Sequence, residues 1–294
     1  MIAAIVTAYK PDAAFASRFT PLLEVCGRIV VVDNTPGGHS SFDLPDGFVL
    51  LQSRRNTGLA RALNAGVAAA RGAGAASVVL FDQDSTPTPR LVSDLQAALA
   101  EATARHGPRC CIGPLHLDDA EAAVGRQSYG PAVARPASRE LSPVTCLPTS
   151  GMVFNLEALA AEDAFAEDLF LDLVDFEWCW RLATRGWTFY RAADVTMFHR
   201  LGISQERFLG LTYHVPAPYR HYFQVRDTLR LAARRYVPMY SKLRLVGVLP
   251  LKAVVYPLIL DHGIERLRWM WLGLLDALRG VAGVGAAARR LGAS

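Results

Sequence analysis

Lysine is scarce in this chain: only Lys10, Lys242 and Lys252 occur among 294 residues, so nearly all positive charge is arginine. Cysteine occurs five times (Cys26, Cys110, Cys111, Cys146, Cys179), in odd number and with no CxxC spacing. That excludes a zinc site of paired cysteines and a disulfide framework, and fits a reducing compartment. No cationic stretch precedes the first apolar run, which is too short for a secretory signal; a cytoplasmic location is expected. No apolar run reaches the roughly 20 residues of a spanning helix, and the longest candidate, Leu245–Leu260, is interrupted by Pro250, Lys252 and Pro257. Repeats and low-complexity segments are absent. With 51% hydrophobic and 20% charged residues, disorder and collagen-like structure are excluded, and one large domain or two small ones are accommodated.

The net charge of +4 is unevenly spread. Residues 201–294 carry 14 basic against 5 acidic residues, whereas the first 200 carry 17 against 22. A basic tail on an acidic body points to an anionic surface, membrane or nucleic acid; nucleic acid is disfavoured because no recognition module or basic stripe interleaved with aromatics is present. Ahead of the tail, strands alternate with helices. Ile2–Ala8, Arg28–Asp33, Phe48–Gln52 and Ser77–Phe81 read as strands, and 13–26 and Gly58–Arg71 as helices, a pattern of a mostly parallel sheet with helices on both faces. The middle, 107–151, is less periodic. Asp175–Arg185 reads as a helix capped by Gly186, followed by short strands Thr188–Arg191 and Val195–Phe198 and, beyond about Gly202, long helices. Ligands of such sheets collect at the carboxyl ends of the strands.

Asp82-Gln83-Asp84-Ser85 follows an apolar strand directly. Two carboxylates so close repel unless a cation joins them, and hard oxygen donors suit Mg²⁺ or Mn²⁺; a polar turn capping the next helix is the plainer alternative. The same residues resemble the DxDx[ST] motif of haloacid-dehalogenase-type phosphatases. Those enzymes also need a downstream lysine, none lies in the sheet after Asp84, and here the motif follows the fourth strand, not the first.

Further segments agree with a different class. Thr7-Ala8-Tyr9, Asp33-Asn34, Arg55-Asn56-Thr57-Gly58, FDQDS, Thr149-Ser150-Gly151 and Asp172-Leu-Val-Asp175-Phe-Glu177-Trp178 together resemble the family 2 glycosyltransferases with a GT-A fold. With the Tyr219–Asp227 block and the segment from Trp271 to Gly280, the likeness reaches nearly the whole chain and is nearest to bacterial rhamnosyltransferases of O-antigen, polysaccharide or rhamnolipid synthesis. The chain departs in having Val174-Asp175 where many relatives have Glu-Asp, and Asp227 where Asn commonly follows the arginine.

The resemblance implies an α/β GT-A domain over 1–202, with a nucleotide-sugar half (1–113) and an acceptor half (114–202), followed by a basic, membrane-associating helical region (203–294). It implies Thr7, Tyr9, Asp33, Asn56, Asp82 and Gln83 at the donor. Ser150, Gly151, Glu177 and Trp178 fall on the acceptor side, Asp84 and His199 on the metal, and Asp175 is the catalytic base; Arg200 and Arg207 are lesser candidates for the leaving diphosphate. The implied reaction moves L-rhamnose from dTDP-L-rhamnose to a hydroxyl of a glycan or glycolipid, lipid-linked, at the inner membrane surface. Plainer roles stand beside these: Asp33-Asn34 as turn chemistry, Asn56 as a helix cap, Glu177 paired with Arg181 at i, i+4. Trp178 and Trp180 cannot share one helix face, so one belongs to the core. The tail helices also suit an ordinary packing layer or a dimer contact.

Overall fold

A computed structural model describes residues 1–38, 43–117, 141–198, 205–208, 211–214 and 217–287. In chain order the elements are β1 (Ile2–Ala8), α1 (Phe15–Phe19), β2 (Arg28–Asp33), β3 (Phe48–Gln52), α2 (Leu59–Gly72), β4 (Ser77–Asp82), α3 (Pro89–His106), β5 (Cys110–Leu117), β6 (Leu141–Val144), β7 (Val153–Asn155), α4 (Val174–Ala183), β8 (Thr188–Phe198), β9 (Gln205–Phe208), β10 (Leu211–His214), α5 (Arg220–Ala232), α6 (Met239–Ile259) and α7 (Gly263–Leu278).

Eight strands form one sheet in the order β3-β2-β1-β4-β7-β5-β8-β6. β1 runs parallel to β2 and β4, and β5 parallel to β8; β7 lies antiparallel between β4 and β5, and β6 antiparallel at the edge. The expected α/β architecture is therefore present. Both faces are covered, as alternation along β1 makes plain. Ala3 and Ile5 join a core with Leu63 of α2 and Trp178 of α4, while Ala4 and Val6 join another with Phe15 of α1 and Leu95 of α3. A continuous apolar strand is what a doubly covered parallel sheet requires.

Four expectations change. The helix expected over 13–26 is one short helix continued by a 3-10 turn at Thr20–Glu24, because Pro21 removes a helix N–H. β5, a strand buried along almost its whole length, occupies part of the segment read as irregular. The two short strands after Gly186 are the single strand β8, whose pairing with β5 slips between Pro114 and Leu115. Gln205–Phe208 and Leu211–His214 pair as the antiparallel strands β9 and β10 rather than forming helix. Beyond them α5, α6 and α7 pack on one another, joined by a hydrogen bond from the Tyr222 hydroxyl to Asp276 (2.7 Å) and by Arg266 beside His221 (3.0 Å). Among the described residues, no helix is long and apolar enough to cross a membrane.

Candidate active site

Parallel pairing brings the carboxyl ends of β2, β1 and β4 side by side. Thr7 lies in register between Val32 and Asp82, and Asp33 beside Ala8. The loops leaving these strands are clasped together. The Tyr9 N–H donates to Oε1 of Gln83 (2.7 Å), the Lys10 N–H to the Thr35 hydroxyl (2.7 Å), and the Thr35 N–H to Oδ1 of Asp33 (2.9 Å). Asp33 is fully buried and Thr7 and Tyr9 partly so. Gln83, expected at the donor, thus uses its carbonyl oxygen to tie the β1 loop to the β4 turn.

The Asn56 region is built likewise. Oδ1 of Asn56 accepts the Gly58 N–H (3.0 Å), while Asn34 spans the loop by donating to the Gly58 carbonyl (3.0 Å) and accepting from the Thr57 hydroxyl (2.9 Å). Gly58 has φ +87°, and a Cβ there would lie 2.7 Å from the Phe170 carbonyl oxygen, so only glycine admits this approach. Through it, the start of α2 touches the loop that carries Asp172 and leads into α4.

After β4 the chain turns, with the Ser85 N–H bonded to the Asp82 carbonyl (3.0 Å); Asp82 is half-buried and Asp84 exposed. The turn is braced from below by the buried Ser85 hydroxyl against that of Ser150 (2.7 Å), by the Gly151 N–H on the Leu80 carbonyl (2.7 Å), and by His116 on the Ser150 carbonyl (2.8 Å). Gly151 has φ +81°, and a Cβ would meet Pro114 at 2.6 Å. Ser150 and Gly151 therefore hold the Asp82–Asp84 turn in place.

Asp175 lies in the first turn of α4, its Oδ1 accepting the Phe176 N–H (2.9 Å). Burial pushes its pKa up to about 7 against that hydrogen bond, and the charges of Asp82 and Asp172 push the same way. Asp82 and Asp175 thus share one electrostatic neighbourhood, although they come from opposite halves of the domain. Leu173, between Asp172 and Asp175, has φ +66°, a left-handed conformation that carries about 1 kcal/mol of strain for a residue with a Cβ. Asp172 accepts from Arg220 through Oδ1 (2.7 Å), and its buried Oδ2 has no hydrogen-bond partner among the described residues. Sequence reasoning gave Asp172 no role of its own; the arginine that holds it lies 48 residues away.

Two acceptor-side expectations meet a different arrangement. Trp178 is fully buried, stacked on Phe165 (4.6 Å), with its indole N–H on the Asp163 carbonyl (2.7 Å). Glu177 is fully buried among Arg181 (2.8 Å), Arg234 (2.7 Å) and the Tyr236 hydroxyl. Both serve the packing of α4, as helix periodicity alone allows. Asp227 also has a packing role: it pairs with Arg226 (2.7 Å), accepts the Phe170 N–H (3.4 Å) and is pushed up to about 7 by burial.

His199 and Arg200 lie outside the described residues, and Arg207 stands on β9 opposite Thr212 of β10. Among the described residues no three potential ligands cluster. Asp82 and Asp84 nevertheless suit Mg²⁺ or Mn²⁺: they are two hard oxygen donors on one turn, one of them exposed. Mg²⁺ is commonly bound by one or two carboxylates, with water and substrate phosphates filling the remaining positions.

The model of the family described as "Glycosyl transferase family 2" matches residues 30–106, which run from β2 to the end of α3 and include Asp33, Asn56, Asp82 and Asp84. The dTDP-rhamnosyl transferase RfbF of Shigella flexneri is 26% identical over 302 residues, covering 97% of both chains. The chain is thus similar to the family 2 glycosyltransferases, through residues 30–106 and through this relative along nearly its whole length. Solved structures agree on the fold. Residues 1–349 of S. aureus TarS in complex with UDP-GlcNAc superpose with TM-score 0.54 and 14% identity over 95% of this chain and 81% of that one. GalNAc-T7 with UDP, GalNAc and Mn²⁺ gives 0.52 and 11% over 84% of this chain, which spans about half of that protein (54%).

Proposed function

We propose that this protein is a family 2 glycosyltransferase that moves L-rhamnose from dTDP-L-rhamnose to a hydroxyl of a lipid-linked glycan or glycolipid, inverting the anomeric centre. The observation that carries the chemistry is the partly buried Asp175 carboxyl, pushed up to about 7 and within the field of Asp82. A base of that strength is matched to neutral pH. The choice of rhamnose and of a thymidine nucleotide rests on the relative from Shigella flexneri, which aligns over nearly its whole length.

In this reading Thr7, Tyr9, Asp33, Asn56, Asp82 and Gln83 shape the donor pocket, several of them by holding its loops. Asp82 and Asp84 are the residues that would hold Mg²⁺ or Mn²⁺, whose chemistry when bound is to neutralise charge on the departing diphosphate. Asp175 accepts the proton of the acceptor hydroxyl as its oxygen bonds to the anomeric carbon and the bond from that carbon to the diphosphate oxygen breaks. A single displacement of this kind inverts the centre. Ser150 and Gly151 act through the turn they brace. The division into residues 1–202 and a basic region 203–294 is retained, the first part holding donor and base and the second closing over Asp172 through Arg220.

The test follows the conversion of dTDP-rhamnose to dTDP by ³¹P NMR in the presence of a bacterial membrane extract as acceptor source, with the product's anomeric configuration read by ¹H NMR. Inverted product from wild type and none from Asp175→Asn support the reading. Product of retained configuration, or equal turnover by the variant, overturns the assignment of Asp175.

A further inference from the structure

α6 is built inside out for a helix of a water-soluble domain. None of its 21 residues is buried, although it is strongly apolar. Its exposed positions Tyr240, Leu243, Gly247, Leu251, Val254 and Leu258 recur every three or four residues, so they form one stripe along the outer side. α7 continues the pattern. Ile264, Leu267, Trp271 and Leu278 face outward, with Ile264 86% and Leu258 80% exposed, while the charged Arg266 and Asp276 are buried. A contiguous apolar patch on a soluble surface marks an interaction site.

Charge identifies the occupant. α6 contains Lys242, Arg244 and Lys252 and no carboxylate. Arg244, Arg268 and Arg279 are exposed along the stripe, with Asp261, in the α6–α7 turn, the acid exposed beside them. Apolar and aromatic side chains flanked by arginine are the composition of a helix lying in a bilayer interface, its apolar face among the acyl chains and its cations at anionic headgroups.

We propose that the α6–α7 hairpin lies in the plane of an anionic membrane surface, with the Tyr240–Leu258 stripe and Ile264, Leu267 and Trp271 entering the headgroup boundary. The opposite side of α6 looks toward the site. Lys252 sits over the Tyr256 ring (5.8 Å), that ring is 5.1 Å from His221, and the Lys252 ammonium is in the field of Asp172. One helix diameter, about 10–12 Å, therefore separates the bilayer-facing stripe from the surroundings of Asp172. An acceptor anchored in the same surface reaches the base without leaving the lipid. This deepens the lipid-linked acceptor reading, but stands on the exposed face and is tested apart from catalysis.

Full-length protein is floated with phosphatidylcholine vesicles, with and without phosphatidylglycerol. Wild type is expected to float with the anionic vesicles and to lose binding as salt rises. Leu258→Glu with Ile264→Glu is expected to lose partitioning on the order of a hundredfold while binding nucleotide sugar as wild type does. Arg244→Glu with Arg268→Glu, which keeps the stripe, is expected to lose the preference for phosphatidylglycerol. Wild type that stays at the bottom, or a Leu258→Glu/Ile264→Glu variant that floats equally well, overturns the proposal. So does a wild-type dimer in sedimentation velocity that the same substitutions dissociate, which assigns the face to a second copy of the chain. Failure of the transferase reading registers instead as absent nucleotide-sugar binding, with flotation intact.

Discussion

Replacing Asp175 by Asn separates the chemistry of this residue from its place in the fold. The carboxyl accepts one hydrogen bond, from the Phe176 N–H at 2.9 Å, and the amide oxygen of Asn accepts the same bond in the same shape. α4 therefore still begins at Val174, and donor affinity is expected to change less than about twofold. On the proposed role, what disappears is the site that takes the acceptor proton, an expected loss of about 10²–10⁴ in kcat. With Asp175 at about 7, the wild-type base is about one-tenth ionised near pH 6 and about nine-tenths ionised near pH 8, so turnover should rise across that interval. Stability moves the other way. A carboxyl whose native pKa lies above its unfolded value of about 3.9 binds its proton more tightly when folded, so its contribution falls as pH rises from about 4 to 7. The variant should be at least as stable as wild type near pH 8. The assays are donor titration calorimetry, product formation from pH 6 to 8, and thermal melting at both limits. A variant within tenfold of wild-type turnover, or one that melts early and no longer binds donor, refutes the reasoning.

Asp84→Asn leaves the melting temperature unchanged, since the side chain is exposed, but removes the enhancement of donor binding by Mn²⁺ in calorimetry. Gly151→Ala forces a Cβ to within 2.6 Å of Pro114 at φ +81° and should lower stability by about 1–3 kcal/mol in urea unfolding, with activity falling as the Asp82–Asp84 turn loosens. Trp178→Phe orphans the Asp163 carbonyl and costs about 1–3 kcal/mol, with KM for acceptor unchanged; an acceptor KM shift without a stability change would return Trp178 to the acceptor site. Burial alone would raise the Asp168 pKa, but hydrogen bonds from Arg234 and Arg230 outweigh it and leave the carboxyl below its usual range. Its stabilisation is thus fully present above the unfolded pKa and is lost as pH falls through the lower native value. Asp168→Asn should melt earlier than wild type near neutral pH, and the gap should narrow in acid.

The first half of the fold was legible because each of its strands is an unbroken apolar run ending in a polar turn. β2 and β3 have the expected bounds, and β4 extends one residue further, to Asp82. β5 escaped notice because Gly113, Pro114 and His116 mask an apolar run that tertiary pairing with β7 and β8 makes a strand. At the proposed site, Asp82 and Asp84 could be read from their position at a strand end, and Asp175 from the family resemblance that its segment carries. The supports could not: Ser85 meets Ser150 across 65 residues and Asp172 meets Arg220 across 48, distances that local patterning does not encode. Periodicity alone placed one of Trp178 and Trp180 in the core without saying which. In the structure both are buried, in different clusters: Trp178 joins Phe154 and Phe165, and Trp180 packs with Phe176, Leu231 and Val237.

The central claim is tested most directly by calorimetric titration of the wild-type protein with dTDP-rhamnose, dTDP-glucose, UDP-glucose and GDP-mannose, with and without Mn²⁺. The account predicts metal-enhanced binding confined to the two thymidine nucleotides and tightest for dTDP-rhamnose. Tighter binding of UDP-glucose or GDP-mannose would contradict the donor assignment, and absence of binding to all four would contradict the transferase reading of the site.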